Sequence, residues 1–182
     1  MLFKIGNLDN QAELLWDNLY EVEDFPNFSR LRIGCREKEI PLILDLCKEM
    51  KGPFAVLHVL LVSRLGKESG RYQIPQPISY GDLELFLYEH QEYFERDGRH
   101  HLWVSSISGE GQFIFDNHNF IYAYGDLASY INQLQLKGFR EGAISIPAPH
   151  CHNYHVEYDS EEQAVNSEFD WLYTPLQEGD EE

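Results

Sequence analysis

The residues best suited to chemistry lie in one short C-terminal segment that is rich in histidine and carboxylate. It runs from Pro149 to Asp159 and reads Pro-His-Cys-His-Asn-Tyr-His-Val-Glu-Tyr-Asp. Neutral imidazole and carboxylate groups are side chains that zinc, manganese, iron and nickel ions accept as ligands in proteins. The composition therefore predicts that this segment forms a divalent transition-metal site, in a metal-binding protein or a metal-dependent enzyme.

The spacing of the first two histidines supports this hypothesis. Side chains alternate along an extended chain, so His150 and His152 are expected on the same side. With Glu157 folded back towards them, the three side chains would form a ligand set for one ion. The candidates for a further ligand or a proton carrier are His155, Asp159, His100, His101 and His118.

An ordinary structural role is the stronger alternative for this segment. A short histidine tract without a second metal motif is more often a polar loop, hydrogen-bonded to the backbone and to nearby tyrosines. Because His100 and His101 are adjacent, only one of them could face a shared site in an extended chain. The sequence contains no motif of a nucleophilic hydrolase, a phosphate-binding loop or a metalloprotease, so enzymatic activity is left open.

The net charge narrows the range of partners. The 182 residues include 14 Lys and Arg against 31 Asp and Glu, a formal net charge of −17. Phosphate backbones and anionic lipids would be repelled, which argues against nucleic-acid binding through a basic surface and against docking on membranes. After Arg140 there are 11 acidic residues and no Lys or Arg. The favoured function is a non-enzymatic protein-binding or inhibitor-type module, with a basic protein as the natural partner.

An apolar island interrupts this acidic region. Phe169 and Trp171 stand among acidic residues and predict either an anchor that docks on the folded body or a partner-binding patch. Docking is favoured because large aromatic side chains are usually buried. Residues 177–182 are expected to form a solvated acidic tail, which leaves residues 1–176 as a single folded domain.

The cysteines and the N-terminus predict a cytoplasmic protein. Cys35, Cys47 and Cys151 are odd in number and widely spaced, unlike a disulfide framework or a Cys-x-x-Cys metal motif. The first residues lack the apolar core of a signal peptide. No apolar run approaches the roughly 20 residues of a membrane span.

Hydrophobic periodicity predicts the elements that must position these side chains. Four helices are expected, over 12–19, 42–50, 83–94 and 126–137. Strands are expected over 31–33, 54–62, 102–107, 113–115, 120–124 and 143–146, and a loop over 66–79. A four-residue loop joins 113–115 to 120–124 as a β-hairpin. This mixed order predicts one α+β domain, with a mixed sheet that contains at least one antiparallel hairpin.

The tetrapeptide Tyr-Gly-Asp-Leu occurs twice, at 80–83 and at 124–127. An aspartate near a helix start accepts hydrogen bonds from free N–H groups and interacts favourably with the helix dipole. Capping is therefore the favoured explanation of the repeat, and a decayed duplication of a helix-plus-strand unit is the alternative.

Overall fold

The computed structural model describes residues 2–180. The α-helices in this range are α1 (Glu39–Cys47), α2 (Tyr80–Glu89), α3 (Gln91–Arg96), α4 (Leu127–Leu136) and α5 (Asp159–Glu168). A 3₁₀ helix spans Val156–Tyr158. The strands are β1 (Ile5–Asn7), β2 (Leu19–Phe25), β3 (Phe28–Gly34), β4 (Phe54–Leu60), β5 (Gly70–Gln73), β6 (His100–Ser106), β7 (Gly111–Phe115), β8 (Phe120–Gly125), β9 (Arg140–Glu141), β10 (His150–His152) and β11 (Leu172–Thr174).

Most of the strands belong to one large mixed sheet. Its order is β11-β5-β4-β6-β7-β8-β3-β2-β9, and neighbouring strands are antiparallel except β2 and β9, which are parallel. β1 and β10 form a separate two-stranded antiparallel sheet. The predicted α+β class with a mixed sheet is confirmed. Within residues 2–180, no helix is long and apolar enough to cross a membrane.

Strand alternation divides the large sheet into two different faces. One face packs against the helices in the main core, whose members include Val56, Leu102 and Phe113 from strands and Leu42, Leu83, Phe94, Leu134 and Val165 from helices. The second face, called the open face below, carries Trp103, Ile114 and Tyr122 on its central strands. A small cluster of Trp16, Phe120 and Ile144 covers it at one end.

The predicted helix over 12–19 is wrong. The side chains of Asn7 and Asn10 accept hydrogen bonds from backbone N–H groups two or three residues ahead, and such local bonds favour turns over helix. Trp16 is buried against Phe120 on the open face, with ring centroids 4.5 Å apart. The apolar spacing therefore reflects an irregular segment that lies across the sheet.

Three further elements differ from the prediction. The predicted helix over 83–94 is divided at His90 into α2 and α3, and the predicted loop over 66–79 contains β5. The predicted strand over 143–146 is wrong, because Ile144 makes its backbone hydrogen bonds with side chains: its N–H donates to Glu21 and its carbonyl accepts from Arg32. Side-chain partners thus replace a neighbouring strand.

The two Tyr-Gly-Asp-Leu copies occupy different structural positions. Tyr80 begins α2, whereas Tyr124 lies in β8. Asp126 caps α4 by accepting a hydrogen bond from the Ser129 N–H, while the cap of α2 is Ser79. Helix capping therefore accounts for the second aspartate, and the copies do not form equivalent units.

His58 is a buried histidine at the centre of the main core. It lies on β4, with ring centroids 5.3 Å from His100 and 6.2 Å from Trp171. Within the described part of the chain, neither of its ring nitrogens has a hydrogen-bond partner. Burial, assisted by the positive charge of Lys67, lowers the pKa of His58 from 6.5 to about 3. Its side chain is therefore neutral in the folded protein.

The variant His58→Phe is expected to be less sensitive to acid. The unfolded chain takes up a proton at His58 near pH 6.5 and the folded chain near pH 3, so His58 causes a loss of stability as pH falls through this window. Phe is aromatic and does not titrate. Urea unfolding at about pH 7 and about pH 4.5 should show a smaller loss of unfolding free energy in the variant, by about 2 kcal/mol. Equal losses in both proteins would contradict this account.

Candidate metal centre

The strand β10 places two histidines on one side of the small sheet. In the ladder with β1, His150 lies opposite Asn7 and His152 lies opposite Ile5. The alternation of side chains turns Cys151, between them, the other way. The centroids of the two imidazole rings are 5.6 Å apart, so the local geometry agrees with the spacing argument from the sequence.

The loop between β7 and β8 brings a third histidine to the same place. The ring centroid of His118 is 5.3 Å from that of His150 and 4.6 Å from that of His152. One nitrogen from each ring lies within 4.8 Å of the other two. Two metal–nitrogen bonds of about 2.1 Å span at most about 4.2 Å, so small side-chain rotations would close the three rings around one ion.

Hydrogen bonds orient two of these three rings. His118 Nδ1 lies 3.3 Å from a carboxylate oxygen of Asp116, and His150 Nδ1 lies 3.1 Å from the carbonyl oxygen of Pro147. These oxygens accept hydrogen bonds, so each Nδ1 carries the proton and each Nε2 keeps a lone pair. Within residues 2–180, the buried Nε2 of His152 has no partner. Metal-bound histidines are oriented by the same kind of outer acceptor.

The electrostatics keep the cluster in a form suited to binding a cation. Burial, together with His118 and His150, lowers the pKa of His152 from 6.5 to about 4, so its lone pair is available at neutral pH. Burial raises the pKa of Asp116, but the hydrogen bond with His118 and the nearby histidines outweigh it and the net pKa is lowered. Asp116 therefore supplies a negative charge directly behind one imidazole.

The structure does not bring Glu157 to this cluster. It is exposed on the 3₁₀ helix, because the chain turns after β10 and does not fold back. Asp159 pairs with Arg99 at 3.0 Å. His155 Nε2 lies 2.9 Å from the carbonyl oxygen of Phe3. These three candidates therefore lie apart from the convergent imidazoles.

His100 and His101 also lie elsewhere, on opposite faces of the large sheet. His100 is fully buried in the main core, 4.4 Å from the ring of Tyr93. His101 faces the other way, towards the open face, where it lies near Asp116. Alternation correctly separates the two side chains, and neither of them joins the cluster.

The aromatic island packs onto the helix-covered side of the sheet. The rings of Phe169 and Trp171 lie 5.3 Å and 6.3 Å from that of Phe86. The indole N–H of Trp171 donates to the carbonyl oxygen of Val165 at 2.9 Å. Both side chains are partly buried against the main core, in the geometry of an anchor.

Part of the expected acidic tail is ordered. Asp180 is buried and its carboxylate lies 3.4 Å from the guanidinium of Arg71. It also accepts a hydrogen bond from the backbone N–H of Gln177. The tail prediction for 177–182 is therefore incorrect at Asp180, because an arginine on β5 offers it a partner. Residues 181 and 182 lie outside the described part of the chain.

Sequence patterns do not reveal the arrangement of His118 with His150 and His152. They leave His118 as one of several candidates and do not single out its partner Asp116. A signal was present, since Asp116 stands two residues before His118 at a hairpin loop, where Asp side chains commonly accept hydrogen bonds from nearby residues. What the sequence does not contain is the approach of this loop to β10.

Comparisons with protein-family models, with curated proteins and with solved structures found no match to this chain.

Asp159 and His155 belong to a second polar cluster, centred on Arg99. The fully buried guanidinium donates to Asp97 at 2.7 and 3.0 Å, to Glu162 at 2.5 Å and to the carbonyl oxygen of His155 at 2.7 Å. Burial alone would lower the pKa of Arg99, but the hydrogen bonds with carboxylates raise it overall. This cluster is a buried ion-pair network, with a structural role.

Replacing Arg99 by methionine is expected to destabilise the fold strongly. Arg99→Met leaves Asp97 and Glu162 buried without their cation, which costs about 3–5 kcal/mol. The matched control is Arg64→Met, which removes a more exposed partner of Asp159 at 3.1 Å and should cost less than about 1 kcal/mol. Urea unfolding at neutral pH measures both values. Similar losses in the two variants would show that the buried network does not carry this stability.

Proposed function

We propose that the protein binds a divalent transition-metal ion through His118, His150 and His152. The observation that carries this proposal is the convergence of three imidazole nitrogens within 4.8 Å, from two segments far apart in sequence. It is supported by the hydrogen bonds that Nδ1 of His118 and Nδ1 of His150 donate, because they leave Nε2 of each ring with a lone pair for a metal ion.

Zinc is the ion that this ligand set fits best. An all-imidazole site suits zinc, copper, nickel and iron more than manganese, which prefers oxygen ligands. Zinc is usually four-coordinate, so three histidines leave one position for water or a substrate. An ion held in this way lowers the pKa of bound water to about 7 and so supplies a nucleophile. Metal-dependent hydrolysis or hydration is therefore the enzymatic form of this proposal.

Cys151 is not part of the proposed ligand set. It lies between His150 and His152 on β10, but its sulfur is directed away from them and lies 3.6 Å from the carbonyl oxygen of Gly6.

Within residues 2–180 the cysteines are free thiols, which the reducing cytoplasm preserves. We propose a cytoplasmic location, which these free thiols support.

Protein binding, the function favoured by the charge distribution, has weaker support. The aromatic island that could form a docking patch is packed on the core through Phe169 and Trp171. Asp180, from the acidic C-terminal region, pairs with Arg71 in the same chain. These residues are engaged internally, so metal binding is the better-supported function.

Metal-stripped protein is expected to bind about one equivalent of Zn²⁺, measured by isothermal titration calorimetry. Alanine in place of His118, His150 or His152 should weaken the affinity by at least about tenfold, because each removes one ligand. Asp116→Asn should weaken it by about 10–100-fold, because the outer carboxylate orients His118. The exposed control Glu157→Gln should bind as the wild type does. An absence of Zn²⁺ binding by the wild type, or unchanged affinity in the histidine variants, would refute the proposal.

A further inference from the structure

The open face of the large sheet contains a groove that includes none of the three proposed metal ligands and shares Asp116 with the surroundings of the metal centre. Its volume is about 340 Å³, within the range of about 300–1,000 Å³ that is typical of small-molecule pockets. Trp103 and Tyr122 stand on either side of it, and Ile114 lies between them. The turn that contains Asp180 borders the same groove.

The strand register sets the width of this groove. Trp103 on β6 pairs with Ile114 on β7, which in turn pairs with Tyr122 on β8. Strands are about 4.8 Å apart, so the backbones that carry the two aromatic residues are about 9.6 Å apart. A flat ring stacked between two others needs about 3.5 Å on each side, or about 7 Å in total. With a slight inward lean of the walls, the gap above Ile114 fits one planar ring system.

Two arginines contact the aromatic rings of Trp103 and Tyr122, which form the walls of the groove. The guanidinium carbon of Arg71 lies 4.8 Å from the ring centroid of Trp103, and that of Arg30 lies 4.2 Å from the ring centroid of Tyr122. In the strand order β5-β4-β6-β7-β8-β3, the strands that carry Arg71 and Arg30 lie beyond those of the walls, and Arg30 also lines the groove. These cation–π contacts favour upright rings, which leaves the inner ring faces for a ligand.

Two buried polar atoms beside the groove lack a partner among residues 2–180. They are the indole N–H of Trp103 and Nε2 of His101, whose side chain is 5% exposed. Buried polar groups without hydrogen bonds are costly, and a ligand that pairs with them removes the cost. The carboxylates of Asp116 and Asp180 border the same space and accept hydrogen bonds. The groove thus offers stacking surfaces, a donor and acceptors.

We propose that this groove binds a planar nitrogen heterocycle of purine size, as an uncharged base or nucleoside. Stacking between Trp103 and Tyr122 holds the ring plane. Amino and ring N–H groups of the heterocycle donate to the carboxylates, and a ring nitrogen or oxygen accepts from the indole N–H. The groove lining carries two carboxylates against one guanidinium, that of Arg30, and together with the net charge of −17 this excess of negative charge disfavours a phosphorylated ligand. This ligand site goes beyond metal binding and does not depend on it.

The indole N–H signals of ¹⁵N-labelled protein provide the test, with adenosine and guanosine as probes. Trp16 donates its indole N–H to the carbonyl oxygen of His118 at 3.0 Å, and Trp171 donates to that of Val165 at 2.9 Å. The Trp103 signal, assigned with Trp103→Phe, should shift saturably with at least one probe, while the other two stay in place. Titration in EDTA makes the result independent of any metal.

Two variants on the same strand separate the groove from its surroundings. Ile114→Phe fills the floor of the gap and should abolish the shift of Trp103. The matched control Gln112→Phe places the same side chain two residues away on the same face, outside this groove, and should leave binding intact. The amide spectrum of each variant checks that it is folded.

Other ligands test the chemical class. Adenosine monophosphate should bind at least about tenfold more weakly than adenosine because of charge repulsion, and maltose and benzoate should leave the Trp103 signal unchanged. The proposal is overturned if neither nucleoside shifts Trp103. It is equally overturned if maltose or benzoate shifts Trp103 as strongly as the nucleosides do, or if Ile114→Phe binds as the wild type does.

Discussion

A fully buried guanidinium has to be neutralised where it lies, and this constraint organises the C-terminal third of the molecule. Arg99 directly precedes β6. Its partner Asp97 lies two residues before it in the sequence, whereas Glu162 and the His155 carbonyl follow β6 at a long distance along the chain. Because an unpaired buried charge is far costlier than a paired one, the 3₁₀ helix and α5 must lie against the start of β6. The acidic C-terminal region therefore has a structural role.

The ion-pair network of Arg99 also helps to position the candidate metal centre. β10 ends at His152. The carbonyl oxygen of the next residue, Asn153, accepts a hydrogen bond from the Gly98 N–H at 2.9 Å, and the Asn153 N–H donates to the Lys4 carbonyl oxygen at 2.8 Å. The histidine pair is thereby held between the Arg99 network and β1, while the β7–β8 hairpin presents His118. A ligand set needs this kind of support from rigid elements. Asp116 connects the two proposed sites, because its carboxylate orients His118 and also borders the groove on the open face.

The features that sequence predicts well are those set by neighbouring residues. Alternation places His150 with His152 and separates His100 from His101, and the β7–β8 hairpin follows from its short polar loop. The predicted class, α+β, follows from the same local patterns.

The features that sequence does not reveal depend on distant partners. α5 has few apolar residues, and it is held partly by the ion pair of Glu162 with Arg99. Glu157 is near His150 and His152 in sequence and is the predicted third ligand, whereas His118, some thirty residues earlier in the chain, is the side chain that lies beside His150. The predicted helix over 12–19 does not form, because asparagine side chains stabilise turns there and because Trp16 is buried on the open face.

The central claim is that His118, His150 and His152 together hold one metal ion, and X-ray absorption spectroscopy of the zinc-loaded protein tests it most directly. The account predicts nitrogen or oxygen neighbours at about 2.0–2.1 Å and outer-shell scattering that fits three imidazole rings. A sulfur neighbour at about 2.3 Å, which would place Cys151 on the ion, or a spectrum without imidazole scattering would contradict it.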